Sequence, residues 1–572
     1  MISTIWTVIA ALSVLPGAAV AAEAESFPTT EIHDAKNDDR AESQYRAVFS
    51  AIEAADWAKA QQLLSDAPPS PLKPIATAEL YLAAGSPKVE LGPLLTLIND
   101  APDIPQAEQL SRLAQKRGAQ LLPALPQRNR LSYVAGNGNR AKPASVADSG
   151  IRAQIIAQIK ADNPHGAEAL LNANMASLSP DAQTELQQRI AWSYYIENDD
   201  PSALRLAQVA QAGVGEWVGH ADWVAGLAAW RLKDCNRAGD AFDRSARNAG
   251  DDEMRGASYY WSARASIACA KPDKAQAKLQ AAARYDDSFY GVLAAETLGM
   301  DVQRLNQQAA LSKKDWRALK DNRNVQATVA LVAIGQNDLA DEVLRYQARI
   351  GADSDHTALL SLAKQLGLPR AQLFLAHYAP AGVKPDVSAR FPAPNWTPDG
   401  GWRIDPSLIF AHTLQESAFQ TRVVSAADAR GLMQVRPIAA ADIARHRGMS
   451  FTSAQLFRPS TNLEYGQSYL EMLRDMSATG GLLPKVVAAY NAGPSPVQRW
   501  NTEIRDNGDP LLFIESIPYV ETRAYVAIIL RNYWIYSQQA GHIAPSLTQI
   551  AGNAWPRLPT AKDVSRAVVA SR

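Results

Sequence analysis

The chain has 572 residues, 47% of them hydrophobic and 20% charged, an ordinary soluble composition too long for one compact core, so two or more domains are expected. Lys and Arg number 57 against 58 Asp and Glu, and the formal charge of −1 leaves no global positive excess of the kind that marks a nucleic-acid binder. Only Cys235 and Cys269 are present, which excludes a disulfide-dense scaffold and a multi-cysteine zinc or iron–sulfur centre.

Residues 6–21 (WTVIAALSVLPGAAVA) form an apolar run ending in small residues before Glu23, and predict an export signal over residues 1–22, removed after Ala21 or Ala22. The run is short for a membrane span and is broken by Pro16 and Gly17, so an N-terminal anchor is the lesser reading. The absence of Lys or Arg ahead of it departs from the signal pattern, and no cysteine at the cleavage region offers a lipid anchor. Export permits a Cys235–Cys269 disulfide; two separately buried thiols are the alternative.

From Glu42 to about Tyr378 the chain is rich in Ala and Leu, with apolar residues recurring at three- and four-residue spacing, the pattern of packed amphipathic helices. An Ala followed four positions later by a small or apolar residue repeats at Ala167/Leu171, Ala203/Ala207, Ala238/Phe242 and Ala275/Leu279, at intervals of 36, 35 and 37 residues. That period predicts tetratricopeptide-sized helix hairpins, and Ala60/Leu64 and Ala340/Leu344 extend the array in both directions. Small residues let helices approach closely while Trp192, Trp230 and Trp261 fill the next layer, so residues 23–379 are expected to form a superhelical wall. Residues 122–150, with Pro123, Pro126, Gly136, Gly138 and Pro143, read as an irregular excursion, and the helix starting at Phe289 is expected to end at Gly299. Residues 380–401, dense in Pro and Gly, mark the boundary to a C-terminal domain over 402–545, followed by a tail over 546–572.

In that domain Asp405-Pro406 is a helix start, an N-cap acid followed by Pro at the first helical position. Leu408, Ile409 and Ala411 then give an apolar stripe that places Glu416 near the C-terminal end. A carboxyl there is partly desolvated and far from the positive helix N-terminus, and both effects raise its pKa toward the range useful for protonating a leaving-group oxygen. A lone glutamate in such a place is usually just an exposed helical residue; its neighbours change the reading. Glu416-Ser417-Ala418-Phe419, Ser425, Gly431-Leu432-Met433-Gln434 with Pro437, Ala489-Tyr490-Asn491-Ala492-Gly493, and Glu515-Ser516-Ile517-Pro518-Tyr519-Val520-Glu521-Thr522-Arg523 follow in order.

These blocks resemble the soluble lytic transglycosylases of glycoside hydrolase family 23, strongly over 402–536 and more weakly in the helical middle. The resemblance implies an all-α protein, a lysozyme-like domain carried on an α-superhelix, that cleaves the β-1,4 bond between N-acetylmuramic acid and N-acetylglucosamine of periplasmic peptidoglycan. It implies that Glu416 first protonates the glycosidic oxygen and then deprotonates the muramic acid 6-hydroxyl, closing a 1,6-anhydro ring. A glycosidase normally needs two carboxylates. The resemblance implies that the substrate's acetamido group and 6-hydroxyl take over the second one's work, while Asp428, Glu464, Glu471 and Glu515 are the carboxylates that could approach.

Carried over by motif, Ser417, Ser425, Met433, Gln434, Tyr490, Asn491, Glu515 and Tyr519 are the candidate substrate-binding residues. Ser425 and Gln434 are expected near the acetamido group or Glu416, Tyr490 at the scissile bond, and Glu515 and Tyr519 flanking from a later helix. Each has a plainer alternative: Gln434 and Asn491 as caps, Tyr490 as core, Glu515 paired with Arg523 or Arg531. Gly431 and Gly493 serve backbone geometry, and His412, alone on an apolar helix, reads as structural. The chain departs from the family at Arg436, where Met is common, and at Gln420-Thr421, which lacks the usual Pro. The expected partner is the glycan strand, with stem peptide in reach of Arg436; nucleic acid, a membrane span after signal removal, and any metal or organic cofactor are not implied. Two other functions fit the same features, a non-catalytic glycan-binding scaffold and a hydrolytic muramidase.

Overall fold

The computed structural model describes residues 39–134, 140, 143–300 and 310–563; the export signal, Gly136 and Gly138 lie outside them. Within these residues the regular secondary structure is almost wholly helical, and the one sheet is a two-residue pairing of Ser132–Tyr133 with Tyr378–Ala379.

The predicted repeat is present down to its turns. All six small-residue pairs lie in the first turns of helices, and both members of each are buried. Five residues ahead of each Ala stands a residue with left-handed backbone: Ala55, Asp162, Asn198, Lys233, Ala270 and Gly335. The next amide in each turn bonds back to the preceding helix, as Asp199 does to the Tyr194 carbonyl at 2.9 Å and Asp234 to Ala229 at 2.9 Å. That closes one helix and opens the next in two residues. Where the second turn residue is Asp56, Asn163, Asp199 or Asp234, its side chain also caps the new helix. Trp261 is fully buried, edge-on to Trp230 at 5.6 Å. Cys235 and Cys269 are bridged, joining the start of one repeat helix to the end of the next.

Two hydrophobic cores organise the chain. In the first, helices of residues 39–116 pack with those of 313–377: Tyr45, Ile75 and Leu110 share it with Leu331, Leu344 and Leu362. Arg46 donates to the Ala333 carbonyl at 2.9 Å and Arg323 to the Asp100 carbonyl at 2.7 Å across the same contact. The helical array thus leaves this core after residue 116 and returns to it at 311, closing on itself. The irregular excursion crosses between the cores: Asn129 bonds the Arg349 carbonyl at one end, and Val146 and Ala147 donate to Glu185 at the other.

The second core runs without a break from repeat helices into the C-terminal domain, joining Ile190, Phe242 and Trp261 to Leu408, Val487 and Trp534. Phe289 heads the helix Phe289–Thr297, which Gly299 follows with φ +61°, and stacks on Trp534 at 5.1 Å. Charged pairs ring this seat: Arg505 with Asp200 at 3.0 Å, Arg264 with Asp509 at 2.7 Å and Arg531 with Glu253 at 3.0 Å. Residues 546–563 pack against the rest of the fold. The helix Pro545–Ala551 buries Leu547 and Ile550, and Thr548 donates to Glu296 at 2.6 Å.

Candidate active site

The helix Pro406–Ser417 begins as its sequence dictates, with the Asp405 carboxylate accepting from the Ser407 amide at 2.9 Å. It ends abruptly because Ala418 and Phe419 both take left-handed backbone, φ +47° and +63°. The fully buried Phe419 ring anchors that unfavourable geometry. Glu416 therefore sits on a fixed last turn. Thr421, just beyond, donates to Asp338 of the closed array at 2.7 Å.

Glu416 is half-buried, and its Oε1 accepts a 2.5 Å hydrogen bond from the Tyr525 hydroxyl. Burial pushes its carboxyl up to about 7; the Tyr525 bond opposes the rise and the charge of Glu521 adds to it. Tyr525 has one proton, given to Glu416, so its 2.9 Å contact with His412 Nδ1 requires the imidazole to donate. His412 is therefore assigned the neutral Nδ1–H tautomer, in keeping with a pKa that burial lowers to about 3. It lies one turn before Glu416 on the same face and packs against Tyr490, ring centres 4.7 Å apart.

The Gly-Leu-Met-Gln turn folds tightly. Arg430 and Val435 exchange backbone hydrogen bonds, and Gly431 has φ +69°. A Cβ on Gly431 would stand 2.3 Å from the Leu456 carbonyl oxygen and 2.4 Å from Asn462 Nδ2, so only glycine fits. Asn462 staples the turn, accepting from the Met433 amide at 2.8 Å and donating to the carbonyls of Arg430 and Leu456. Tyr490 completes it with a 2.7 Å bond from its hydroxyl to the Met433 carbonyl. Its pKa is raised, by burial first and then by the Glu416 charge, which places the ring in the field of the acid.

Several sequence-predicted residues make hydrogen bonds within the protein. Gln434 spends its amide inside the turn, on the Gly431 carbonyl at 2.8 Å, and Ser425 accepts from the amides of Ala427 and Ala429. Both hold loop shape rather than Glu416. Met433 is fully buried with its sulfur against Gly466, which leaves its carbonyl as the part that is used. Ser417 is buried and bonds back to the Thr413 carbonyl. Asn491 accepts from Thr522 at 2.6 Å, tying the helix Leu483–Ala492 to Val520–Gln539.

Glu515 does not flank the acid with a free carboxylate: both oxygens are taken by Arg140, at 2.9 and 2.6 Å, and Oε1 also by Tyr290. Neither Arg523 nor Arg531 is its hydrogen-bonded partner. Tyr519 is half-exposed, edge-on to Trp500 at 5.2 Å. Asp428, Glu464 and Glu471 are likewise engaged by Arg430, by Arg403 with Arg447, and by Arg403. The residues that act on Glu416 and were not singled out are Tyr525 and Glu521. They are spaced i, i+4 on one helix, as are His412 and Glu416 on another, and that spacing was the available signal.

The fold and site together are those of a lysozyme-like α domain seated on a closed α-superhelix, with one raised glutamic acid at its centre. Residues 398–512 match the Transglycosylase SLT domain family, and the resemblance to soluble lytic transglycosylases stands on that match and on the fold. The soluble lytic murein transglycosylase of Escherichia coli K12 is 36% identical over 132 residues, 23% of this chain and 20% of that protein; its Salmonella typhimurium counterpart is 37% identical over 136 residues, with the same coverage. The match thus spans about a fifth of the length of these curated relatives. Solved structures share the fold over far more of the chain. The lytic transglycosylase Slt of Pseudomonas aeruginosa covers 88% of this chain and 74% of its own at TM-score 0.53 and 22% identity. The 70 kDa soluble lytic transglycosylase of E. coli covers 91% and 99% at TM-score 0.55 and 15% identity.

Proposed function

We propose that this protein is a peptidoglycan lytic transglycosylase, cleaving the β-1,4 bond between N-acetylmuramic acid and N-acetylglucosamine with Glu416 as acid and then base. The observation that carries the reading is a carboxyl raised to about 7 and held by one tyrosine hydroxyl, so that both of its protonation states are populated near neutrality. In the first step the Glu416 proton passes to the glycosidic oxygen as the C1–O bond breaks, and the substrate's acetamido oxygen shares the positive charge at C1. In the second, the Glu416 carboxylate takes the 6-hydroxyl proton as that oxygen bonds to C1, closing the 1,6-anhydro ring and restoring the acid.

The tight turn around Gly431 and the Tyr490 ring form the wall beside the acid, and the exposed Arg436 stands where its charge acts on Tyr469, a ring 5.3 Å from Tyr490. Periplasmic location after export fits this substrate. No described helix is long and apolar enough to cross a membrane. Glu521, close enough to raise the pKa of Glu416, favours a second reading, a hydrolytic muramidase in which it activates water. Digestion of purified sacculi followed by mass analysis of muropeptides decides. Anhydro ends released by wild type and lost in Glu416→Gln are expected; reducing ends would establish the hydrolase, and release independent of Glu416 would leave a glycan-binding scaffold.

A further inference from the structure

Behind the helix Val520–Gln539, between the C-terminal domain and the repeat helices, lies a cavity of about 210 Å³. That is far more than the ~10–15 Å³ that one water requires. Its helix wall is a single stripe, Val520, Arg523, Ala524, Ala527, Ile528 and Arg531, at steps of three and four. Tyr525 and Glu521, which act on Glu416, lie on the adjoining flank of the same helix. The facing wall comes from the repeats and is aromatic: Trp192, Trp217 and Trp223, with Phe289 at its edge.

The charges of the lining do not balance. Arg140, Arg189, Arg523 and Arg531 face two carboxylates, Glu253 and Glu515. Arg140 is paired with Glu515, Arg531 with Glu253, and Arg189 with Glu185 outside the cavity. Arg523 pairs with no carboxylate among the described residues. Among the described residues its guanidinium makes one hydrogen bond, to the Ile517 carbonyl at 2.9 Å, and stacks on Trp192 at 4.2 Å. Burial pulls its pKa down to about 10; Glu515 attracts it and Arg140 repels it. A half-buried guanidinium with donors left free, set beside tryptophans, is the arrangement that recognises a carboxylate attached to an apolar body.

We infer that this interdomain cavity is a second ligand site, which takes a small monocarboxylate bearing an apolar or aromatic group. The carboxylate pairs with Arg523 and the apolar part lies between the tryptophans. The chemistry is shared by a free aromatic acid and by the C-terminus of a short peptide. The site does not depend on the reaction proposed at Glu416.

Calorimetric titration of the full chain with 3-phenylpropionate tests the site, with 3-phenylpropionamide as the uncharged match and N-acetylphenylalanine as the peptide-like one. The expected result is saturable 1:1 binding of the acid, weakened at least ~10-fold for the amide and in Arg523→Gln. The Ala527→Phe variant, which fills the cavity from its helix wall, is expected to abolish binding, and it decides alone if Arg523→Gln fails to fold. Tighter binding of N-acetylphenylalanine than of 3-phenylpropionate identifies a peptide terminus as the ligand type, and weaker binding a free acid. Equal affinity for acid and amide, affinity unchanged in Ala527→Phe, or no saturable binding of either acid overturns the proposal.

Discussion

Tyr525 donates its hydroxyl proton to Glu416 across 109 residues of sequence, at 2.5 Å, while taking a proton in turn from His412. This bond stabilises the carboxylate against a burial that disfavours it, so it sets where between acid and base the residue rests.

Replacing Tyr525 by Phe removes the one contact that lowers the Glu416 pKa. The alkaline limb of the kcat/KM profile on sacculi, which falls as Glu416 loses its proton above about pH 7, is expected to move up by about one unit, with a lower maximal rate. A limb that stays in place or moves to lower pH would show that the bond does not tune the acid.

Glu416→Gln is expected to stabilise the fold, and more so as pH rises. The carboxyl's pKa is raised on folding, from 4.5 to about 7, so its stability contribution is whole below about pH 4.5 and is lost as pH climbs through 7. At pH 8 the charged form costs the folded state about 1–3 kcal/mol, discounted for its partial exposure. The melting temperature of Glu416→Gln should therefore match wild type at pH 4 and exceed it at pH 8; a constant difference refutes the burial argument.

Gly431→Ala puts a methyl group against the Leu456 carbonyl and Asn462 in a left-handed backbone. A loss of roughly 2–4 kcal/mol in stability is expected, with sacculus digestion falling further than the fraction unfolded, because the turn carries the Met433 carbonyl that holds Tyr490. Urea unfolding and specific activity on the same sample separate the two effects.

Glu515→Gln leaves the Arg140 guanidinium, stacked on Trp223 at 4.4 Å, without its bidentate carboxylate. Removing one member of a buried pair costs about 3–5 kcal/mol. Since the pair joins residue 140 to the C-terminal domain, hydrogen exchange should quicken on both sides of that seat. Exchange limited to the helix Pro510–Glu515 would mean that the pair has only local weight.

The helical repeat was legible in the chain because its signal is local. A small residue that lets two helices touch must recur with the hairpin, and the left-handed turn residue five positions earlier travels with it. The helix that carries Glu416 was legible for the same reason, since Asp405 and Pro406 act on their own first turn. The ordered motifs pointed to Glu416 and to the Gly431 turn. They also attributed ligand contact to Gln434, Ser425, Met433 and Glu515, whose hydrogen bonds in the fold go to the turn, the core and Arg140.

The sequence by itself determined the class of fold, the repeat, the position of the acid and the residues that shape its turn. Only the tertiary structure decided what surrounds that acid: Tyr525 with His412 behind it, Glu521 nearby, and the other candidate carboxylates neutralised by arginines. It also decided that the array closes on itself, that Cys235 and Cys269 are bridged, and that Arg523 lines an aromatic cavity with no carboxylate partner among the described residues. The reason is physical. Turns and helix starts are set by residues a few positions apart, whereas the pKa of an acid and the pairing of a buried charge depend on groups that only the packed chain brings within a few ångströms.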